Sequence, residues 1–143
     1  MGIAALVLWL LTAVGGFVLL GTWIAKGGAH QPTNSHLPPA VVFGHFLLAV
    51  VGLILWIIYL AVDTRALAWI SFVLLLLVAV LGLGMFVRWL PVYRARVEVD
   101  SGPLTATSPP AERNFPVMIV AGHGVFAVTT VVLVFLAALG VGS

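Results

Sequence analysis

Four stretches of this chain, roughly 3–25, 39–62, 66–90 and 116–140, are long runs of Leu, Val, Ala and Gly almost free of charge. A hydrocarbon core about 30 Å thick is crossed by roughly 20 apolar residues at 1.5 Å per residue, so each run is long enough to span it as a helix. A water-soluble fold is excluded, because a chain that is 63% hydrophobic and 7% charged cannot cover itself with a polar surface. The connections are short. Gly27, Gly28, Pro32, Pro38 and Pro39 bound the first, Asp63-Thr64-Arg65 forms a tight second with a surface ion pair, and Pro91 to Phe115 is the third. The expected fold class is therefore all-α, an integral membrane up-down four-helix bundle forming one domain over 1–143.

Within the third connection, the "VYRARVEVD" segment alternates apolar and charged residues ahead of a turn-like "SGP", which predicts a short hairpin over about 91–115. The run from Ile3 to Ala25 has no basic stretch before it and exceeds a signal-peptide core, so it reads as the first span. The start MGIAAL lacks the Ser or Thr of a myristoylation signal. With no cysteine, disulfides, thiolate metal sites and iron–sulfur ligation are excluded. The net charge of +2 rests on few groups and does not point to nucleic acid. Lys26, Arg88, Arg94, Arg96 and Arg113 lie on the side of the longer loops and only Arg65 on the other, which predicts cytoplasmic longer loops in a bacterial-type plasma membrane. Glu98, Asp100 and Glu112 are loop acids, which count little in that rule.

Self-comparison gives the most specific signal. "PPAVVFGHFLLAV" (38–50) aligns without gaps on "PVMIVAGHGVFAV" (116–128) at an offset of 78, with six of thirteen positions identical. Matches of Leu, Val and Ala cost little in membrane sequences. A Pro and a Gly-His pair at the same spacing are less easily met by chance, since the chain has 8 Pro and 4 His. The first and third spans align more weakly at an offset of 66, "LLTAVGG" on "LLVAVLG", with Trp23 falling on Trp89. The chain thus reads as two parallel-repeat helical hairpins related by a pseudo-twofold axis along the membrane normal. That axis sets His45 and His123 opposite each other, each seven residues after its Pro and so about 10 Å into its helix.

Lipid offers an imidazole no hydrogen-bond partner, so both rings are expected to face the bundle interior. Two imidazoles on different helices aimed at a common centre are the donor set for axial ligation of one b-type haem. Gly44, Gly122, Gly124 and Ala121 flank the histidines and are small enough for a macrocycle to approach the helices. Arg88 and Lys26, at the ends of the third and first spans, are candidate propionate partners through charge-assisted hydrogen bonds. Trp23, Trp89 and Phe115 are expected in an aromatic belt at that level. Paired Gly-His motifs on two parallel helices of a four-helix bundle resemble the haem-binding core of membrane b-type cytochromes, such as the cytochrome b561 group and the membrane anchors of quinone reductases. The resemblance covers the second and fourth spans only, and with one histidine pair it implies one haem rather than two. It implies electron transfer, with a quinone or other redox subunits as partners, within a homo- or hetero-oligomeric respiratory complex.

A cofactor-free accessory or scaffold subunit is the alternative, its histidines serving as interhelical glue. Three other readings are weaker. His30, His36 and His45 could be drawn as a zinc or copper site, but their spacing has no fixed geometry and the loop histidines are expected to be solvated. Gly15, Gly16, Gly82 and Gly84 are expected to set helix packing, and Arg88 also suits lipid phosphates. Transport and hydrolysis lack the intramembrane carboxylates or nucleophile–base pairs they would need.

Overall fold

The computed structural model describes residues 1–30, 35–99 and 109–141, and the chain forms the expected helical bundle. Its helices are α1 (Gly2–Ala25), α2 (Pro39–Val62), α3 (Arg65–Val99) and α4 (Val117–Ala138), with one 3₁₀ turn at Ala111–Asn114 before α4. All four are long and apolar enough to cross a membrane. Helix is the only regular spanning form open to such segments, because lipid cannot satisfy unpaired backbone groups. α2 and α4 start identically. Pro38 and Pro116 sit extended at the N-caps, and their carbonyls accept the N–H groups of Val41 and Val42 and of Ile119 and Val120, which are repeat-equivalent positions. Asp63 adopts a left-handed conformation (φ 50°) that closes the tight α2–α3 turn.

The helices are arranged in a ring. α2 packs chiefly on α3 and α1 on α4, contacts within each hairpin are sparser, and α2 and α4 lie across the diagonal without packing on one another. The two hairpins therefore hold each other. Large apolar side chains fill two layers: Ala5, Trp9, Trp56, Leu75 and Val134 near the α1 N-terminus, and Trp23, Val42, Trp89 and Phe115 near the longer loops. The repeat is visible in these layers, since Trp56 and its equivalent Val134 are both fully buried, as are Ala5 and its equivalent Ser71.

Two expectations about the connections fail. The helix does not stop at Pro91, which lies inside α3, and residues 92–99 are helical rather than a strand. The alternating pattern loses to a helical stripe: Trp89, Val92 and Tyr93 share a face, Val92 is buried, and the Trp89 and Tyr93 rings stack at 5.1 Å. Pro91 lacks an N–H and so leaves the carbonyl of Val87 without its helical partner. The "SGP" turn lies outside the described residues. Arg65 does not pair with Asp63 but donates to the Leu139 carbonyl at 3.0 Å, completing the C-terminus of α4.

Among the described residues, Ser71 Oγ is a buried polar side-chain atom without a hydrogen-bond partner. Because the first hairpin has Ala5 in the same place, Ser71→Ala is expected to be neutral or stabilising by up to about 1 kcal/mol. Reversible unfolding in detergent micelles measures this, and a clear loss of stability contradicts it.

Candidate functional site

His45 and His123 meet across the diagonal, between the two apolar layers, with ring centroids 6.3 Å apart and planes inclined at 53°. Each ring is tied to a helix of the other hairpin. His45 Nδ1 donates to the Val78 carbonyl on α3 and His123 Nδ1 to the Thr12 carbonyl on α1, both at 2.9 Å. The acceptors are themselves repeat-equivalent, 66 residues apart, as the donors are 78 apart. The symmetry of the sequence is thus carried into a pair of equivalent hydrogen bonds.

A helical carbonyl already accepts an N–H from four residues on, and the side chain at that position leans back over it. At both acceptors the residue four positions later is glycine: Gly16 after Thr12 and Gly82 after Val78. A Cβ on Gly16 would lie 3.2 Å from His123 Cε1, and one on Gly82 would lie 3.2 Å from His45 Cε1. Gly15 also abuts the His123 side chain. These glycines uncover the carbonyls and seat the rings, a more specific role than the general helix packing expected of them. The "LLTAVGG"/"LLVAVLG" alignment contains both carbonyl–glycine pairs, but a glycine in a span does not by itself mark an exposed acceptor. At Gly44, Gly122 and Gly124, by contrast, an added Cβ would meet no protein atom within 4 Å.

The hydrogen bond at Nδ1 fixes the tautomer of each neutral ring, leaving its Nε2 with a lone pair. Neither Nε2 has a hydrogen-bond partner among the described residues. An imidazole nitrogen lies about 1.2 Å from the ring centre and binds a transition metal at about 2.0 Å, so two rings on one ion in line would have centroids about 6.4 Å apart. The observed centroid spacing of 6.3 Å is close to that value. A backbone carbonyl behind Nδ1 is also the usual support of a metal-ligating histidine.

The loop histidines do not join this site. His30 is exposed, and among the described residues no group of three metal-binding side chains comes together. His36 is not simply solvated: its ring Nδ1 and its backbone N–H both reach Glu112 Oε1, at 2.9 and 2.7 Å. Glu112 is fully buried although it sits in a loop. Its other oxygen accepts from Ser35 Oγ at 2.8 Å, and Ser35 Oγ in turn accepts from Trp23 Nε1 at 2.9 Å. Trp89 Nε1 donates to the Glu112 carbonyl. Trp23, Trp89 and Phe115 therefore form a buried layer under this polar cap rather than a lipid-facing belt, because an indole N–H withdrawn from water needs an acceptor. Arg88 and Lys26 end at the same face; Arg88 donates to the His36 carbonyl at 3.3 Å and Lys26 is exposed.

Two predictions follow from these contacts. Gly16→Val or Gly82→Val is expected to displace a ring from its carbonyl and destabilise the bundle by about 1–3 kcal/mol, whereas Gly44→Ala and Gly124→Ala should cost nothing, as measured by detergent unfolding. Glu112→Ala, which strips the partners from Ser35 and His36, is expected to cost about 1–3 kcal/mol and to raise protease sensitivity in the first loop.

Compared with protein-family models, with curated proteins and with solved structures, the chain finds no match, so the site rests on its own geometry.

Proposed function

We propose that this protein is a membrane-embedded b-type haem protein, with one haem held axially by His45 and His123, acting in electron transfer. The observation that carries the reading is the facing pair itself: centroids 6.3 Å apart, each Nδ1 spent on a backbone carbonyl and each Nε2 left as a donor to a metal. Haem, when bound, supplies a centre that takes up and releases one electron. The Val78 and Thr12 carbonyls hold the rings in orientation and raise the basicity of Nε2. With both histidines holding it, the group would supply electron transfer rather than chemistry on a substrate. The apolar layers above and below keep water from the pair. α2 and α4 do not pack on each other, and Gly44, Gly122 and Gly124 carry no side chain beside the histidines that would hold the group. Arg88 and Lys26 are the cations for its propionates.

One histidine pair serves one haem, so transmembrane electron transfer needs a partner: a quinone, or other redox subunits of a respiratory complex. By the distribution of Lys and Arg, the face carrying Glu112 is cytoplasmic, in a bacterial-type plasma membrane. The cofactor-free scaffold reading is favoured by one observation, that the Nδ1 bonds by themselves already tie the two hairpins together.

The reduced-minus-oxidised spectrum of purified protein separates the two. The haem reading expects the alpha band of a low-spin b haem, abolished in His45→Ala and in His123→Ala and retained in His36→Ala. Carefully prepared membranes without that band rule the haem out, leaving the scaffold.

A further inference from the structure

A groove of about 1,030 Å³ opens away from the histidines, at the end of the bundle with the longer loops, between the end of α3, the segment leading into α2 and the turn before α4. Among the described residues, three arginines line it, Arg88, Arg96 and Arg113, and no carboxylate does. The nearby acid, Glu112, is fully buried and its oxygens are taken up by Ser35 and His36, so it does not face the arginines. Arg88 spends one N–H on the His36 carbonyl and Arg96 one on the Arg113 carbonyl. A guanidinium has five N–H groups, so each is oriented by the protein with donors to spare.

The position of the groove says what chemistry could fill it. α3 is 35 residues, about 52 Å at 1.5 Å per residue, against a hydrocarbon core of about 30 Å. Its last turns therefore stand in the headgroup region, and the groove lies against them. Val87 lines the groove and continues an apolar stripe down α3 through Leu83 and Val80, which are 60, 63 and 68% exposed. Cationic donors at headgroup level above an open apolar track match a molecule with an anionic head and a hydrocarbon tail.

We infer that this groove is a binding site for an anionic phospholipid of the bilayer, its phosphate held by Arg88, Arg96 and Arg113 and an acyl chain lying along Val87, Leu83 and Val80. Arginine suits the head because its planar fork pairs with phosphate oxygens two at a time. Arg88 is the one residue shared with the haem reading, whereas Arg96 and Arg113 belong to the groove alone, so the arginine variants are placed at those two.

Native mass spectrometry of the full-length protein in detergent, titrated with phosphatidylglycerol, phosphatidylcholine or glycerol phosphate, tests the inference. One phosphatidylglycerol is expected to be retained where phosphatidylcholine is stripped. Each arginine near an anionic lipid surface contributes about fivefold in affinity, so Arg96→Gln and Arg113→Gln should each weaken retention by about that factor. Ala95→Trp, which fills the groove without removing charge, should weaken it as well. Arg94→Gln, at an exposed arginine outside the lining, should leave it unchanged. Circular dichroism and monodispersity establish that each variant is folded, and the tryptophan variant decides the matter if an arginine variant is not. Equal retention of phosphatidylcholine, an equal loss in Arg94→Gln, or binding of glycerol phosphate as tight as that of the lipid overturns the site.

Discussion

Lipid supplies no hydrogen-bond partner, and the arrangement of the bundle follows from how the protein meets that constraint at two imidazoles. Each ring finds its partner in a backbone carbonyl of the opposite hairpin, and a glycine one turn later leaves room for the ring beside that carbonyl. This single device fixes several things together. It sets the register of α2 against α3 and of α4 against α1, defines the tautomer of both histidines, and brings the two rings to 6.3 Å with each Nε2 left unbonded among the described residues. The large apolar side chains then fill the space on either side, with Trp9 and Trp56 below the histidines and Trp23 and Trp89 above.

The same constraint recurs at the membrane face. Indole N–H groups of Trp23 and Trp89 are buried there, and the chain brings a carboxyl and a hydroxyl from loops 77 residues apart in sequence to receive them or to support their acceptors. Glu112 acts as a tie between the first and third connections, which is why a loop acid is fully buried. One consequence is electrostatic: with Glu112 turned inward, no carboxylate among the described residues lines the groove that Arg88, Arg96 and Arg113 share.

Internal duplication accounts for the symmetry but not for all of the detail. The histidines, their acceptor carbonyls, the N-cap prolines and the two buried tryptophans recur at the offsets the alignment predicts. The layers between them have diverged: Trp9 packs on Gly52 in the first hairpin, while the equivalent positions of the second are Leu75 and Thr130. The cap shows the same drift. Trp23 donates to a serine hydroxyl and Trp89 to a glutamate carbonyl, so the need for an acceptor was kept while the group meeting it changed.

By itself the sequence determined the four spans, their alternating direction, the duplication and the pairing of His45 with His123, because hydropathy and chain length leave few ways to cross a bilayer and the repeat imposes an axis. It also held the glycines at 16 and 82, though nothing local marks a glycine as the opening to a carbonyl. Only the tertiary structure decided which helix receives each ring, since the choice depends on α2 packing against α3 and α4 against α1. It alone decided that α3 runs on through Pro91, where packing of Trp89, Val92 and Tyr93 outweighs one lost hydrogen bond and an alternating pattern. The burial of Glu112 with Ser35 and His36 was likewise invisible beforehand, because it joins groups far apart in sequence whose partners exist only once the bundle has formed.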